Sequence, residues 1–133
     1  MSDAVIDTDV VSLLFKRDTR AETYKPHLVG RTLVVSFMTV AELEAWALIR
    51  NWGEARRARM REHLRNFVIY PFELPLCRKW AEVTSAARTN GRRIACADAW
   101  IAATALLHEI PLITHNRNDF DGVPGLQVIS EAP

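Results

Sequence analysis

The sequence has 133 residues, of which 49% are hydrophobic and 25% are charged. These values exclude a disordered chain and favour one globular domain over residues 1–133. The net charge of +1 excludes the strongly basic surface of many non-specific nucleic-acid binders. No apolar run is long enough to span a membrane, so we expect a cytoplasmic protein without a membrane partner.

Most of the basic residues are arginines, and many of these arginines lie in one segment. Fourteen of the seventeen are Arg, and six of these lie between Arg50 and Arg65. Arginine binds phosphate groups through a planar fork of donors. This cluster could therefore contact phosphates, a partner protein or only solvent, and the sequence does not decide between these roles.

The first half of the chain alternates short β-like runs with helical ones. Residues 4–6 form the first predicted strand, which Asp7 closes. We expect Asp9 to cap a helix that begins directly after it. Another helix is predicted over 20–29, and we expect it to be less regular because it contains Pro26. The continuous apolar run at 32–37 is typical of a strand buried on both faces.

The second half continues this alternation. The predicted helices and strands are a helix over 39–52, an Arg-rich helix to about 66, a strand over 67–70, helices over 75–90 and 95–108, and strands over 112–114 and 126–129. Strands joined by helical crossovers indicate a parallel sheet with helices on both faces. We therefore predict an α/β fold, a three-layer α/β/α sandwich around a mostly parallel sheet of about five strands.

Four acidic residues fall at related places in this framework. Asp7 ends the first strand, Glu42 lies in the first turn of the helix after the second strand, and Asp98 lies in the first turn of the 95–108 helix. Asp119 follows the fourth strand. Open α/β sheets bind ligands at the carboxyl ends of their strands, so we expect these acids to lie close together.

Clustered carboxylates repel one another and raise each other's pKa, unless a cation lies between them. Hard oxygen ligands suit Mg²⁺ or Mn²⁺, and such ions support phosphodiester hydrolysis. Each acid also has a simpler explanation. Glu42 or Asp98 would stabilise a helix dipole, and Asp119 would suit a turn. From the residues alone both interpretations stay open, although an acid is an unusual continuation of the buried strand before Asp7.

Two further acids lie next to these residues in the sequence, and we expect neither to be a main member of the cluster. Glu44 lies about 200° around the helix from Glu42, so both cannot face one site. Asp9 has a sufficient role as the helix cap, and we expect it to support the cluster at most.

Four segments, taken together, resemble the PIN domain family in order and spacing. The segments are VIDTDV at 5–10, SFMTVAEL at 36–43, IACADAWIAATA at 94–105, and LITHNRNDF at 112–120 followed by VPGL at 123–126. The last of these is similar to the tail of VapC-type toxins. The resemblance covers nearly the whole chain.

The resemblance implies a metal-dependent endoribonuclease that is the toxin of a toxin–antitoxin pair. It implies RNA as substrate, a cognate antitoxin as partner, a homodimer, and Mg²⁺ (or Mn²⁺) as cofactor. Asp7 and Asp98 would hold the principal ion, and Glu42 and Asp119 would complete the cluster or hold a second ion. Two polar residues match positions that support the acids, and these are Thr114 and Asn116.

Two other functions remain open. The run Asp7-Thr8-Asp9 also fits the opening of haloacid-dehalogenase-like phosphatases, with Asp7 as nucleophile and Asp9 as acid. That family needs a late acidic pair that this chain lacks. The chain could also be a PIN-like module that binds RNA or a partner without cutting. Arg92, Arg93 and Arg117 lie nearest the acids in the sequence and are the better phosphate candidates.

Overall fold

A computed structural model describes residues 3–133, and its centre is one five-stranded sheet. The strands are β1 (Ala4–Ile6), β2 (Leu33–Ser36), β3 (Val68–Tyr70), β4 (Leu112–Ile113) and β5 (Val128–Ile129). Their order across the sheet is β3-β2-β1-β4-β5, and every pairing is parallel. The predicted parallel α/β sheet of five strands is confirmed.

Helices connect the strands and cover both faces of the sheet. They are α1 (Thr8–Lys16), α2 (Lys25–Leu28), α3 (Phe37–Ile49), α4 (Glu54–Leu64), α5 (Leu74–Thr89) and α6 (Cys96–Leu107), with 3-10 helices at Thr19–Thr23 and Arg117–Phe120. Within residues 3–133, none of these helices has the length and apolar character needed to cross a membrane.

Two hydrophobic cores flank the sheet, one on each face. Ala4 and Ile6 of β1 belong to the core that contains residues of α1, α3 and α4. Val5, between them, belongs to the core built with α5 and α6. Side chains of a strand alternate between faces, so β1 supplies both cores and is completely buried. This arrangement is the predicted three-layer sandwich.

Two helix starts differ from the prediction. Asp7, and not Asp9, caps α1, because its carboxylate accepts from the Thr8 backbone N–H. α3 begins directly after β2 at Phe37 with Ser36 as its cap, so Glu42 lies in the second turn and not in the first. Both helices begin earlier than expected because each strand passes into its helix with almost no loop.

The segment 20–29 also differs from the single irregular helix that we predicted. It divides into the 3-10 helix Thr19–Thr23 and the short helix α2, with Pro26 in the first turn of α2. Proline has no backbone N–H to donate and suits that first turn, where no donor is needed. Pro26 therefore lies at the start of a new helix and does not interrupt a longer one.

Gly122 brings two loops into close contact. A Cβ at this position would lie 2.7 Å from Arg92 Cβ and 2.8 Å from the Arg92 carbonyl oxygen. Only glycine permits this approach. The contact joins the segment before α6 to the segment after the 3-10 helix Arg117–Phe120. Two candidate acids lie in the adjoining helices, Asp98 in α6 and Asp119 in the 3-10 helix.

We expect Gly122→Ala to destabilise the protein by about 1–3 kcal/mol, because the added methyl group must displace the Arg92 backbone. The measurement is the free energy of unfolding in denaturant. Gly53→Ala is the matched control, since a Cβ there meets nothing within 4 Å. Equal stability of the two variants would contradict the close contact.

Candidate active site

The candidate site lies at the carboxyl edge of the sheet. Asp7 follows β1, Thr114 follows β4, and α3 begins where β2 ends. α6 packs against β1 and β2 and begins with Asp98 in its first turn. The parallel arrangement therefore brings four distant segments of the chain to one edge, as the sequence predicts.

Asp7 is the most buried of the candidate acids, with 5% of its surface exposed. One carboxylate oxygen accepts from the Thr8 backbone N–H at 2.8 Å, and the other accepts from the Thr114 hydroxyl at 2.7 Å. Burial raises the pKa of Asp7 well above its ordinary value, and the charges of Asp9 and Asp98 raise it further. Thr114 thus holds this carboxylate in place.

A pair of buried threonines connects Glu42 to this centre. The Thr8 hydroxyl donates to Glu42 Oε1 at 2.7 Å and lies 2.9 Å from the Thr39 hydroxyl. A hydroxyl has one proton to donate, so Thr39 must donate to Thr8. The chain Thr39–Thr8–Glu42 orients the glutamate from the second turn of α3.

Asp9 belongs to the acidic cluster and is not the simple helix cap that we predicted. Its Oδ2 accepts from the His115 backbone N–H at 3.0 Å and from Asn116 Nδ2 at 2.8 Å. Its Oδ1 accepts from the Val10 backbone N–H at 2.7 Å. Burial raises the pKa of Asp9. Asp9 therefore fixes the loop after β4, and Asn116 contacts Asp9 directly.

Asp98 and Asp119 form the more open side of the cluster. Burial, followed by the charges of Asp119, Glu42 and Asp9, raises the pKa of Asp98 to about 6. Asp119 lies exposed in the 3-10 helix Arg117–Phe120. Asp98 therefore interacts with acids from three other segments, and all four predicted acids share one electrostatic environment.

Glu44 and the arginines of 50–65 lie outside this environment. Arg61 binds the Glu44 carboxylate through two hydrogen bonds of 2.9 and 3.0 Å, which confirms that Glu44 faces away from Glu42. Other arginines of residues 50–65 also contact neighbouring side chains. Arg50 stacks on Trp46, Arg56 stacks on Trp52, and Arg65 pairs with Glu62.

Tyr24 and His115 also contribute to the site, although no pattern in the sequence singled them out. Tyr24 is fully buried, and its hydroxyl shares a hydrogen bond with His115 Nδ1. The same hydroxyl accepts from the Glu131 backbone N–H at 3.1 Å. The carboxyl-terminal segment is therefore connected through Tyr24 to the loop that contacts Asp9.

The donor set suits a hard divalent cation, although its side chains are not arranged as a finished coordination shell. Within residues 3–133, no three His, Cys, Asp or Glu side chains converge in the geometry of a metal site. The carboxylates nevertheless raise one another's pKa, and a cation between them would relieve that repulsion. Each bonded oxygen of Asp7 accepts one hydrogen bond and keeps a second lone pair for an ion.

Comparison with known families matches this architecture. The sequence profile described as "PIN domain" matches residues 4–126. The chain therefore belongs to the PIN domain family.

Curated relatives cover almost the whole chain. The VapC ribonuclease Y4jK of Sinorhizobium fredii is 32% identical and matches 95% of each chain. Ribonuclease VapC1 of Haemophilus influenzae is 33% identical and matches 92% of this chain and 93% of its own. Toxin FitB of Neisseria gonorrhoeae is 30% identical and matches 87% of this chain and 89% of its own.

Solved structures show the same fold. VapBC-1 from nontypeable Haemophilus influenzae has a TM-score of 0.80 at 27% identity and matches 98% of each chain. FitAcB from Neisseria gonorrhoeae has a TM-score of 0.79 at 27% identity and matches 95% of this chain and 96% of its own. VapBC2 from Rickettsia felis has a TM-score of 0.84 over 98% of each chain at 19% identity, which supports the fold alone.

We expect Asp98→Asn to stabilise the metal-free protein at pH 7.5 by about 1 kcal/mol, after allowance for solvent screening. The raised pKa means that folding favours protonated Asp98, so the protein loses stability as pH rises from 3.8 through about 6. The neutral amide removes that loss. The measurement is denaturant unfolding in EDTA at pH 4 and pH 7.5.

Glu44→Gln is the control, because its carboxylate pairs with Arg61 and has a lowered pKa. It should not stabilise the protein at either pH. If Asp98→Asn were no more stable than the wild type at pH 7.5, the destabilisation of charged Asp98 by burial and by the neighbouring acids would be refuted.

Proposed function

We propose that this chain is a divalent-metal-dependent endoribonuclease and the toxin component of a toxin–antitoxin pair. The acidic cluster is the main support for this activity. Acids from four separate segments meet at the carboxyl edge of the sheet, where Asp98 interacts with Asp119, Glu42 and Asp9, and Asp7 interacts with Asp9 and Asp98. Membership of the PIN domain family and relatives named as ribonucleases support the same activity.

Asp7 and Asp98 would hold Mg²⁺ or Mn²⁺, with Glu42 and Asp119 completing the set or holding a second ion. When bound, such an ion would neutralise charge and lower the pKa of water, and both effects promote phosphodiester hydrolysis. In that hydrolysis water adds to phosphorus and the 3′ oxygen of the RNA leaves.

The protein's own hydroxyl groups would keep the carboxylates oriented for this task. Thr114 fixes one oxygen of Asp7, and Thr8 fixes one oxygen of Glu42. Both threonines are buried, so these hydrogen bonds are shielded from competing water. Asn116 would act through Asp9, which holds the loop between β4 and Asp119.

The phosphatase alternative loses its basis, because the chain belongs to the PIN domain family. A phosphatase would need Asp9 as a mobile proton donor. Asp9 instead accepts three hydrogen bonds from Val10, His115 and Asn116. The relatives named as ribonucleases also favour an enzyme over a module that only binds RNA.

A cognate antitoxin and a second copy of the chain are the proposed protein partners. A similar solved structure, 26% identical to this chain with a TM-score of 0.77, is a toxin–antitoxin complex from Klebsiella pneumoniae. Leu48 and Ile49, at the end of α3, are 61% and 76% exposed. Exposed apolar residues on this helix agree with the homodimer that the resemblance implies.

We expect Asp7→Asn to reduce Mg²⁺-dependent RNA cleavage by at least about 100-fold, because it removes a charged ligand from the centre of the cluster. Cleavage is measured by sequencing the new 5′ ends in total bacterial RNA incubated with purified protein. Glu44→Gln, which alters an acid outside the cluster, should cleave like the wild type. Cleavage by the wild type that continues in EDTA would contradict the metal-dependent proposal.

For the homodimer, we expect Ile49→Lys to shift the protein from dimer to monomer, because a charge would be buried in an apolar contact. Light scattering after size-exclusion chromatography gives the mass. Arg59→Glu, an exposed change on α4, is the comparison and should remain dimeric. A wild-type protein that is monomeric at all concentrations tested would refute the dimer.

A further inference from the structure

A pocket of about 400 Å³ opens beside the acidic cluster and combines charges of both signs. Asp98 and Asp119 line it, together with Arg92, Arg93 and Asn118. The carboxylates come from α6 and the 3-10 helix, and the arginines come from the loop before α6. Asp7 does not line this pocket, so the pocket extends away from the buried centre of the cluster.

The two arginines differ in how firmly they are held. Arg92 pairs with Asp121 at 3.4 Å, and its backbone contacts Gly122. Arg93 is exposed and has no hydrogen bond or ion pair within residues 3–133. The contact between Gly122 and Arg92 fixes the base of the loop, so the Arg93 guanidinium is confined near the pocket but remains available to a ligand.

Carboxylates and arginines together in this pocket suit a ligand that carries several phosphate groups. A phosphate group is repelled by bare carboxylates, but a guanidinium fork binds its oxygens through two parallel hydrogen bonds. An extended RNA strand carries a phosphate at every nucleotide. A strand whose cleaved phosphate lies at the carboxylates can therefore place a neighbouring phosphate beside the arginines.

We propose that this pocket binds a backbone phosphate next to the one that is cleaved, and that Arg93 is the residue that contacts it. The inference rests on the proposed ribonuclease function and adds a substrate-binding residue to it. Arg92 supports the loop through Asp121 and Gly122. The contact reads no base, so it contributes equally to RNAs of different sequence.

The test measures RNA binding apart from cleavage. A fluorescein-labelled single-stranded RNA of twelve mixed-sequence nucleotides is titrated with the full-length protein in EDTA, and anisotropy is followed at several KCl concentrations. Arg93→Ala should weaken binding roughly 10-fold, and the slope of log affinity against log salt should fall by about 0.7, the value for one phosphate contact on a single strand. Arg93→Lys should lie between Arg93→Ala and the wild type.

Arg88→Ala is the matched control, because Arg88 is an exposed arginine of α5 that does not line the pocket. It should leave affinity and salt slope unchanged. If Arg93→Ala and Arg88→Ala bind this RNA equally well, the proposal is overturned. That result would also be expected if the pocket received an acidic side chain of a partner protein.

A second assay separates this inference from the proposed activity. With Mg²⁺ and an RNA that the wild type cleaves, Arg93→Ala should raise KM about 10-fold and change kcat less than about 3-fold. Wild-type cleavage with an unchanged KM in Arg93→Ala would overturn the pocket and leave the ribonuclease intact. Weaker RNA binding by Arg93→Ala, with no cleavage by the wild type, would refute the ribonuclease and not the phosphate contact.

Discussion

The repulsion between carboxylates at the carboxyl edge of the sheet is the constraint on which the rest of the site depends. Asp7 is almost completely buried, and its pKa is raised by burial and by two neighbouring acids. The fold tolerates this centre because backbone N–H groups and threonine hydroxyls donate to the carboxylates. The same contacts leave lone pairs for a cation, so the network that orients the acids also prepares them to share an ion.

The repulsion between the carboxylates also explains why the connections around the site are short. β1 passes into α1 at Asp7, and β2 passes into α3 at Ser36, with almost no loop between. Short connections leave little freedom for the acids to separate. On the far side, Gly122 allows the loop that carries Arg92 to rest against the segment that follows Asp119. The acids repel one another, so backbone contacts, and not attraction between the side chains, keep them close together.

Much of the fold could be predicted from the sequence, because it depends on local patterns, whereas the assignment of the four acids to one site depended on the resemblance to the PIN domain family. Buried strands are visible as apolar runs, and the segments that follow parallel strands begin at one edge of the sheet. The role of Asp9 could not be predicted, because Asp7 and Asp9 are equally good helix caps by residue type. The choice depends on His115 and Asn116, more than a hundred positions away. The contacts of Tyr24 with His115 and Glu131 are equally distant in the chain and leave no local pattern.

In the proposed site, acids from distant segments share one divalent cation. The most direct test is a crystal structure of the protein grown with Mn²⁺, in which anomalous scattering locates the ion. We expect a peak within coordination distance of carboxylate oxygens of both Asp7 and Asp98. A fully occupied Mn²⁺ site elsewhere on the molecule, with no peak between these two residues, would contradict it.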